Sequence, residues 1–108
     1  MFDSKMARWR SGNVWLSQTK RYMFYVYFLR SGGNGDIYIG YSANLKQRFA
    51  AHNTGKVRST KSGRPWILFG YEAYENMLDA KHRELYLKSH SQRDMIKDRY
   101  KESLKLVA

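Results

Sequence analysis

The sequence predicts an α+β domain, a class also grouped with α/β, with a small three-stranded antiparallel sheet flanked by helices. Three observations predict it. Two aromatic and β-branched runs surround a glycine-rich turn, a third such run follows a basic loop, and apolar residues recur at helical spacing elsewhere. The expected order is strand, strand, helix, strand, helix, helix, which gives helices packed on a small sheet.

The first two strands form a β-hairpin. Residues 23–29 (MFYVYFL) and 36–41 (DIYIGY) flank a turn at residues 31–35. A register that pairs Tyr27 with Tyr38 places both rings on one face, because side chains alternate along a strand. The same register sets Gly40 opposite Tyr25. We expect Gly40 to allow a close approach, either of the opposite strand or of a phosphate.

The first helix is predicted over residues 43–52. Ser42 is a plausible N-cap residue, and Gly55 suits a left-handed position after the helix end. Arg48 and His52 follow Leu45 by three and seven residues, so they lie on or beside the apolar stripe that Leu45 shares with Phe49. A cation beside the core-facing stripe suggests a functional reason.

The second half of the chain predicts a strand and two helices. Residues 66–74 form the strand, with Gly70 as a bulge. Asn76 caps a helix to about Ser89, and residues 91–94 (SQRD) predict a capping box for a last helix to about Leu106. The expected inner residues are Met77, Ala80, Glu84 and Leu87 in the first of these helices, and Ile96, Tyr100 and Leu104 in the second.

Residues 1–22 differ from the rest of the chain, being basic and polar without a sustained period. We expect a flexible or loosely docked extension there and a compact domain at residues 23–108. The alternative is that the apolar residues of the extension cover an exposed patch of the core: Trp9, Val14, Trp15 and Leu16.

Composition limits the functional classes. The 108 residues allow one domain, and 20 Lys and Arg against nine Asp and Glu leave a formal net charge of +11. Such a surface binds polyanions, namely DNA, RNA or an anionic membrane face, and the aromatic content of 16% favours nucleic acid because rings stack on bases. The absence of Cys excludes disulfides and thiolate sites. No apolar run is long enough to span a membrane, and we expect a cytoplasmic protein.

The loop at residues 56–65 (KVRSTKSGRP) concentrates this positive charge. Lys56, Arg58, Lys61 and Arg64 suit a segment that follows a DNA backbone and adds affinity without sequence information. A merely solvated basic loop is the competing interpretation.

Two short strings carry a family resemblance. The second, Tyr38-Ile39-Gly40, matches one half of the motif that names the GIY-YIG nuclease superfamily. The first, Tyr25-Val26-Tyr27, resembles the other half with Tyr25 in place of the glycine. Arg48 lies ten residues after Tyr38, as the catalytic arginine does in the family, and His52 follows one turn later. Glu84 resembles the metal-binding glutamate, and the likeness covers roughly residues 23–100.

The resemblance implies a short stand-alone nuclease module, similar to the N-terminal domain of the excinuclease component that incises damaged DNA. Two positions depart from the family: an asparagine of some members has no clear counterpart, Ile96 lying near its place, and a lysine of repair members is Tyr41 here. The implied activity is a metal-dependent endonuclease acting on DNA, including structured or damaged DNA in repair or recombination, with RNA as the alternative substrate. A separate protein that supplies specificity and a monomer or weak homodimer fit the small size.

Each implied role has a chemical basis. Glu84 would anchor Mg²⁺ or Mn²⁺, since Mg²⁺ keeps most of its waters and needs few carboxylates. Arg48 would hold the scissile phosphate with its planar guanidinium. One of Tyr27 and Tyr38 would lie near the attacking water and the other would orient substrate, with nearby cations and a metal-bound water lowering the phenol pKa. His52 would contact the phosphate or relay a proton.

Each of these residues also has a structural interpretation. Glu84 could pair with Lys81 or Lys88, the Arg48 stem could cover Phe49, the two tyrosines could form a cross-strand pair, and His52 could be a bystander. Two other functional classes stay open: a non-catalytic nucleic-acid-binding module that retains the nuclease scaffold, and a structural or protein-interaction domain.

Overall fold

The structure, a computed structural model, describes residues 22–107 apart from the side chains at 90–92, 106 and 107. Its strands are β1 (Phe24–Ser31), β2 (Ile37–Ser42) and β3 (Trp66–Tyr74). Its helices are α1 (Leu45–Asn53), a 3₁₀ helix (Arg58–Gly63), α2 (Met77–Leu87), α3 (His90–Arg99) and α4 (Lys101–Val107). Of the expected extension at residues 1–22, residues 1–21 lie outside the described residues.

The sheet confirms the predicted class and strand order. Strand β1 is central and pairs antiparallel with β2 on one side and β3 on the other. The predicted hairpin register is wrong by two residues, because Tyr27 pairs with Gly40 and Tyr38 pairs with Leu29. The turn closes later than expected, with the backbone N–H of Ser31 donating to the Asp36 carbonyl at 2.8 Å. A shift of two keeps the face of every side chain, so both tyrosine rings still share one side of the sheet.

Each face of the sheet carries its own core. On one face, α2, α3 and α4 pack over a cluster that includes Val26, Phe28, Ile39 and Ile96. On the other face, Tyr27, Leu29 and Trp66 are buried beneath α1 and its neighbouring segments, with Leu45 and Phe49 packed against them. Consequently α1 and its polar residues lie on the opposite side of the sheet from the three C-terminal helices.

The ends of α1 and α2 are set by local hydrogen bonds. The N-cap of α1 is Asn44, whose side chain accepts from the backbone N–H of Gln47, and not Ser42 as predicted. Ser42 instead bonds Asn44 through its hydroxyl. Gly55 has the left-handed φ of 80° expected of it. Asn76 caps α2 as predicted, accepting from Leu78 and Asp79.

The C-terminal region differs from the prediction in three details. Met77 is 42% exposed and does not belong to the inner face of α2. The N-cap of α3 is Ser89, so Ser91 lies inside the helix and no capping box begins there. The single predicted helix is two, because the chain leaves helical geometry at Tyr100, whose ring packs on the core.

The bulge predicted near Gly70 is present. Phe28 pairs with Gly70 and Leu29 pairs with Leu68, so one extra residue is inserted in β3. A Cβ on Gly70 would lie 2.7 Å from the ring of Tyr100, so the glycine also makes room for the residue that separates α3 from α4.

Candidate active site

The two hairpin tyrosines and His52 form one aromatic cluster. The ring centroids of Tyr27 and Tyr38 are 6.3 Å apart, and that of His52 lies 5.6 Å from Tyr27 and 4.9 Å from Tyr38. The two strands supply the phenols and the last turn of α1 supplies the imidazole. The sequence prediction that the two tyrosine rings lie on one face of the sheet is confirmed.

Gly40 makes room for the Tyr27 ring. A Cβ on Gly40 would lie 2.4 Å from both Cζ and the hydroxyl oxygen of Tyr27, which no real contact allows. Of the two close approaches expected at Gly40, the structure therefore displays that of the opposite strand, through the tyrosine ring. A phosphate contact at Gly40 stays a prediction.

Buried hydrogen bonds assign the proton positions of His52. Its Nδ1 lies 2.8 Å from the Thr60 hydroxyl, and that hydroxyl donates to the Val57 carbonyl at 3.3 Å. Thr60 therefore accepts from Nδ1–H, which leaves Nε2 as the acceptor for the Tyr27 hydroxyl at 2.8 Å. A chain of hydrogen bonds thus connects the Tyr27 phenol to a neutral imidazole with a fixed tautomer.

The pKa values of the pair keep both groups uncharged in the free protein. Burial raises the pKa of Tyr27 to about 12, against the opposing effect of its hydrogen bond with Arg48. Burial lowers the pKa of His52 to about 4, and the positive charge of Arg48 acts in the same direction. The expectation that neighbouring cations lower the phenol pKa is thus wrong for Tyr27 in the protein's own field, because desolvation outweighs Arg48.

Arg48 projects from α1 into solvent beside this cluster. The neighbouring Tyr27 hydroxyl is the main reason why the pKa of Arg48 is raised, and Tyr38 adds to the effect. A cavity of about 340 Å³ opens next to Arg48, with Lys56 on its border and uncharged residues elsewhere: Ser42, Asn44, Gln47, Ala50, Ala51 and Thr54. A bound anion would meet the positive charges of Arg48 and Lys56 at this cavity.

Glu84 lies on α2, whose buried residues pack on the other face of the sheet, and it acts on Tyr27 through its charge. Its side chain is only 17% exposed, and its Oε2 accepts from Lys88 Nζ at 2.9 Å. Its negative charge contributes to the raised pKa of Tyr27, and Lys88 lies 5.6 Å from the Tyr38 ring centroid. Of the five residues that the resemblance implied as catalytic, Tyr27, Tyr38, Arg48 and His52 lie together, and Glu84 is linked to them through its charge on Tyr27 and through Lys88.

The donor set around Glu84 suits some metals and excludes others. Among the described residues, no group of three or more His, Cys, Asp and Glu side chains converges on one point. Zinc and other metals that need several protein ligands are therefore poorly served. A single sheltered carboxylate does fit Mg²⁺ or Mn²⁺, which keep bound waters and share the phosphate oxygens of a substrate.

The basic loop lies at the edge of this site. Arg58, Lys61 and Arg64 are all exposed on or next to the 3₁₀ helix, and Arg64 Nε donates to the Lys61 carbonyl. Lys56 is the member of the predicted set that shares a cavity with Arg48. Contact of these four side chains with nucleic acid stays a prediction.

Sequence reasoning missed two residues of the site. Thr60 sits in the basic loop, yet it is buried and fixes the His52 tautomer. The buried position of Thr60 depends on the loop conformation, in which Trp66 Nε1 donates to the Thr60 carbonyl at 2.7 Å. The sequence does not reveal that contact. The second missed residue is Lys88, which the sequence identifies only as an ordinary partner of Glu84. Lys88 follows Glu84 by four residues on the same helix, and this spacing was the available signal that it shares the surroundings of Glu84.

These features define a class: a small α+β domain with paired hairpin tyrosines beside a helical arginine and histidine, and a sheltered glutamate whose charge acts on Tyr27. Residues 23–100 match the family model of the GIY-YIG catalytic domain, and the chain belongs to this family of endonucleases. Membership implies nuclease chemistry on nucleic acid.

Similar proteins occur in several bacteria. The chain is 39% identical over 77 residues to the UPF0213 protein in the ldhD 5′ region of Pediococcus acidilactici, covering 68% of this chain and 78% of the relative. It is 35% identical over 74 residues to a UPF0213 protein of Staphylococcus haemolyticus, covering 68% and 89%. No solved structure matches the chain. Within residues 22–107, no helix is long and apolar enough to cross a membrane.

Proposed function

We propose that the protein is a metal-dependent endonuclease that hydrolyses phosphodiester bonds in DNA. The observation that carries the proposal is the buried link from the Tyr27 hydroxyl to His52 Nε2, because it gives the proton of an attacking water a path out of the reaction centre. The proposal extends to structured or damaged DNA as substrate, because the formal net charge of +11 favours backbone contacts, which carry no base sequence.

Tyr27 is the better candidate of the two phenols for contact with the water. It has a proton acceptor at 2.8 Å, and neutral His52 has its lone pair directed at it. As water attacks phosphorus, its proton passes to the Tyr27 oxygen while the Tyr27 proton passes to His52. The P–O bond to the leaving oxygen breaks, and that oxygen takes a proton from solvent. Tyr38, less deeply buried, then orients the substrate.

The low pKa of His52 is compatible with this role. Desolvation holds the pKa near 4 in the free protein, and a bound phosphodiester brings a negative charge close to the ring. A nearby negative charge favours the imidazolium, so substrate binding raises the proton affinity of His52 when it is needed.

Arg48 has two positions in this scheme. In the free protein it lies beside the tyrosine hydroxyls, which raise its pKa. Its exposed, flexible side chain can turn to a phosphate beside Lys56, which uncovers the Tyr27 hydroxyl and places a guanidinium against the charge that grows on phosphorus. Glu84 would hold the divalent metal, which supplies Lewis-acid stabilisation of the phosphoryl oxygens when bound.

A cleavage assay tests the proposal. Purified protein with Mg²⁺ or Mn²⁺ is incubated with plasmid, flap, junction and single-stranded DNA, and with RNA. We expect hydrolysis of at least one DNA substrate and a loss of about 10²-fold or more in Glu84→Ala and Arg48→Ala. Glu102→Ala removes an exposed carboxylate that pairs with Lys105, so it should retain wild-type rates.

Two conservative variants separate the phenols in the same assay. Tyr27→Phe removes the hydroxyl that is bonded to His52, and it should lower the rate far more than Tyr38→Phe. Cleavage that survives Glu84→Ala and Arg48→Ala would contradict the assigned roles, as would a complete lack of cleavage on every substrate.

One observation favours a second candidate function, a nucleic-acid-binding module without catalysis. Glu84 is engaged by Lys88, so the carboxylate is not free for a metal in this state. This candidate predicts salt-sensitive DNA binding without hydrolysis, and affinity that does not change in Glu84→Ala.

A further inference from the structure

Lys88 touches two members of the catalytic cluster. Its Nζ lies 2.9 Å from Glu84 Oε2 and 5.6 Å from the ring centroid of Tyr38. Lys88 is the C-cap residue of α2, and its backbone N–H donates to the Glu84 carbonyl one turn earlier. Its backbone and side chain are thus both bonded to Glu84.

This ion pair differs from the surface pairs of the same protein. Lys105 and Glu102 are also linked on a helix, but their side chains are 70% and 75% exposed, and such pairs contribute little. In the Lys88–Glu84 pair the carboxylate is only 17% exposed and the lysine 42%. A charge pair with one sheltered partner is less screened by solvent, so Lys88 has a stronger influence on what else Glu84 can bind.

We propose that Lys88 is a positioning residue that holds the Glu84 carboxylate and competes with the divalent metal for it. With Oε2 committed to the ammonium, a metal ion must displace Lys88 or share the carboxylate with it, and in either case it meets a positive charge at close range. The proposal rests on the metal-binding role of Glu84 in the proposed function.

The Lys88 ammonium group, once displaced from Glu84, has a neighbouring position beside Tyr38. It already lies near the ring of Tyr38, the residue that orients the substrate in the proposed function. It is a flexible point charge that can follow a phosphate oxygen. Metal binding at Glu84 and release of Lys88 towards the substrate are then two parts of one exchange, which links metal occupancy to phosphate binding.

Direct metal binding tests the proposal without reference to cleavage. Mn²⁺ is titrated into the full chain, and binding is followed by water proton relaxation. Lys88→Met removes the charge and keeps an unbranched side chain, so we expect Mn²⁺ affinity to rise about tenfold. Lys88→Arg retains the charge and should bind Mn²⁺ within about twofold of wild type.

Lys81→Met is the matched control. Lys81 lies on the same helix and its Nζ is 5.3 Å from the Tyr41 ring centroid, so this variant makes the same change in net charge away from the tyrosines of the cluster. Its effect on Mn²⁺ affinity should be clearly smaller than that of Lys88→Met. Circular dichroism checks that each variant is folded.

Glu84→Gln distinguishes failure of this inference from failure of the proposed function. If Mn²⁺ binding depends on Glu84 but is the same in wild type and Lys88→Met, the competition is wrong while the metal role of Glu84 stands. If wild type binds no Mn²⁺, or Glu84→Gln binds it equally well, the metal role falls and the inference falls with it.

Discussion

His52 is held neutral by its surroundings, and this couples the stability of the fold to pH. The side chain is fully buried between Tyr27 and Thr60, and burial lowers its pKa to about 4. In the unfolded chain an ordinary histidine takes up its proton near pH 6.5. The unfolded state therefore binds more protons than the folded state between these two values, and the fold loses stability as the pH falls.

Denaturation at two pH values measures this coupling. Between pH 7.5 and pH 5.0, His52 should cost the wild-type protein about 2 kcal/mol of unfolding free energy. His52→Gln cannot take up the proton, so its loss over the same interval should be smaller by that amount. Urea denaturation gives both values. His82→Gln, which alters an exposed histidine, should keep the wild-type pH dependence, and an equal dependence in His52→Gln would contradict the assignment.

The central pairing of β1 with β2 positions the site, and Gly40 is its tightest point. Tyr27 is paired directly with Gly40, and its buried ring occupies the space that a Cβ would fill. The hydroxyl is fixed further by His52, so the ring has no low-energy position to move into. Because Gly40 has no side chain, the hairpin can hold the Tyr27 ring in this position.

Replacing that glycine should disrupt the site. We expect Gly40→Ala to lower the unfolding free energy by about 2–3 kcal/mol, since an added methyl group overpacks a rigid contact. Gly33→Ala is the matched control, because its Cβ would meet nothing closer than 3.6 Å, and it should change stability by less than about 0.5 kcal/mol. Urea midpoints decide, and a Gly40→Ala variant as stable as Gly33→Ala would show that the ring does not lie over Gly40.

Local signals predicted these elements well, and long-range contacts did not follow from them. The strand over residues 66–74, the Asn76 cap and the left-handed Gly55 all depend on neighbouring residues, and the structure confirms them. The hairpin register failed because it depends on how the Ser31 turn closes. The prediction that both tyrosine rings lie on one face of the sheet stayed correct, because the register was wrong by an even number of residues.

The same distinction applies to the site. The family resemblance located Arg48, His52 and Glu84, and the structure sets the first two beside the tyrosines and the charge of Glu84 within range of Tyr27. Thr60 could not be found this way, because its role depends on a buried hydrogen bond across eight residues and on a loop conformation held by Trp66. The pKa of Tyr27 was likewise misjudged, since burial is a property of the packed fold and not of the sequence nearby.

At the scale of the whole molecule, the sheet separates two populations of cations. Arg48, Lys56 and the basic 3₁₀ segment accompany α1 on the face that carries the tyrosines, whereas α3 and α4 pack on the other face. A formal net charge of +11 attracts DNA to the molecule as a whole. If the catalytic face is the binding face, however, only its cations displace counterions from the phosphates.

Salt-dependent DNA binding tests this division with variants of equal charge. Lys56→Gln combined with Arg58→Gln removes two cations from the catalytic face, and Lys97→Gln combined with Lys101→Gln removes two exposed cations from the helices on the other face. Each phosphate contact adds about −0.9 to the slope of log affinity against log salt concentration. We expect the first pair to make that slope shallower by about 2, and the second pair to leave it close to the wild-type value. Fluorescence anisotropy in the absence of divalent metal gives both slopes. Equal changes in the two variants would mean that DNA binding depends on the net charge of the molecule and not on the face that carries Tyr27 and Arg48.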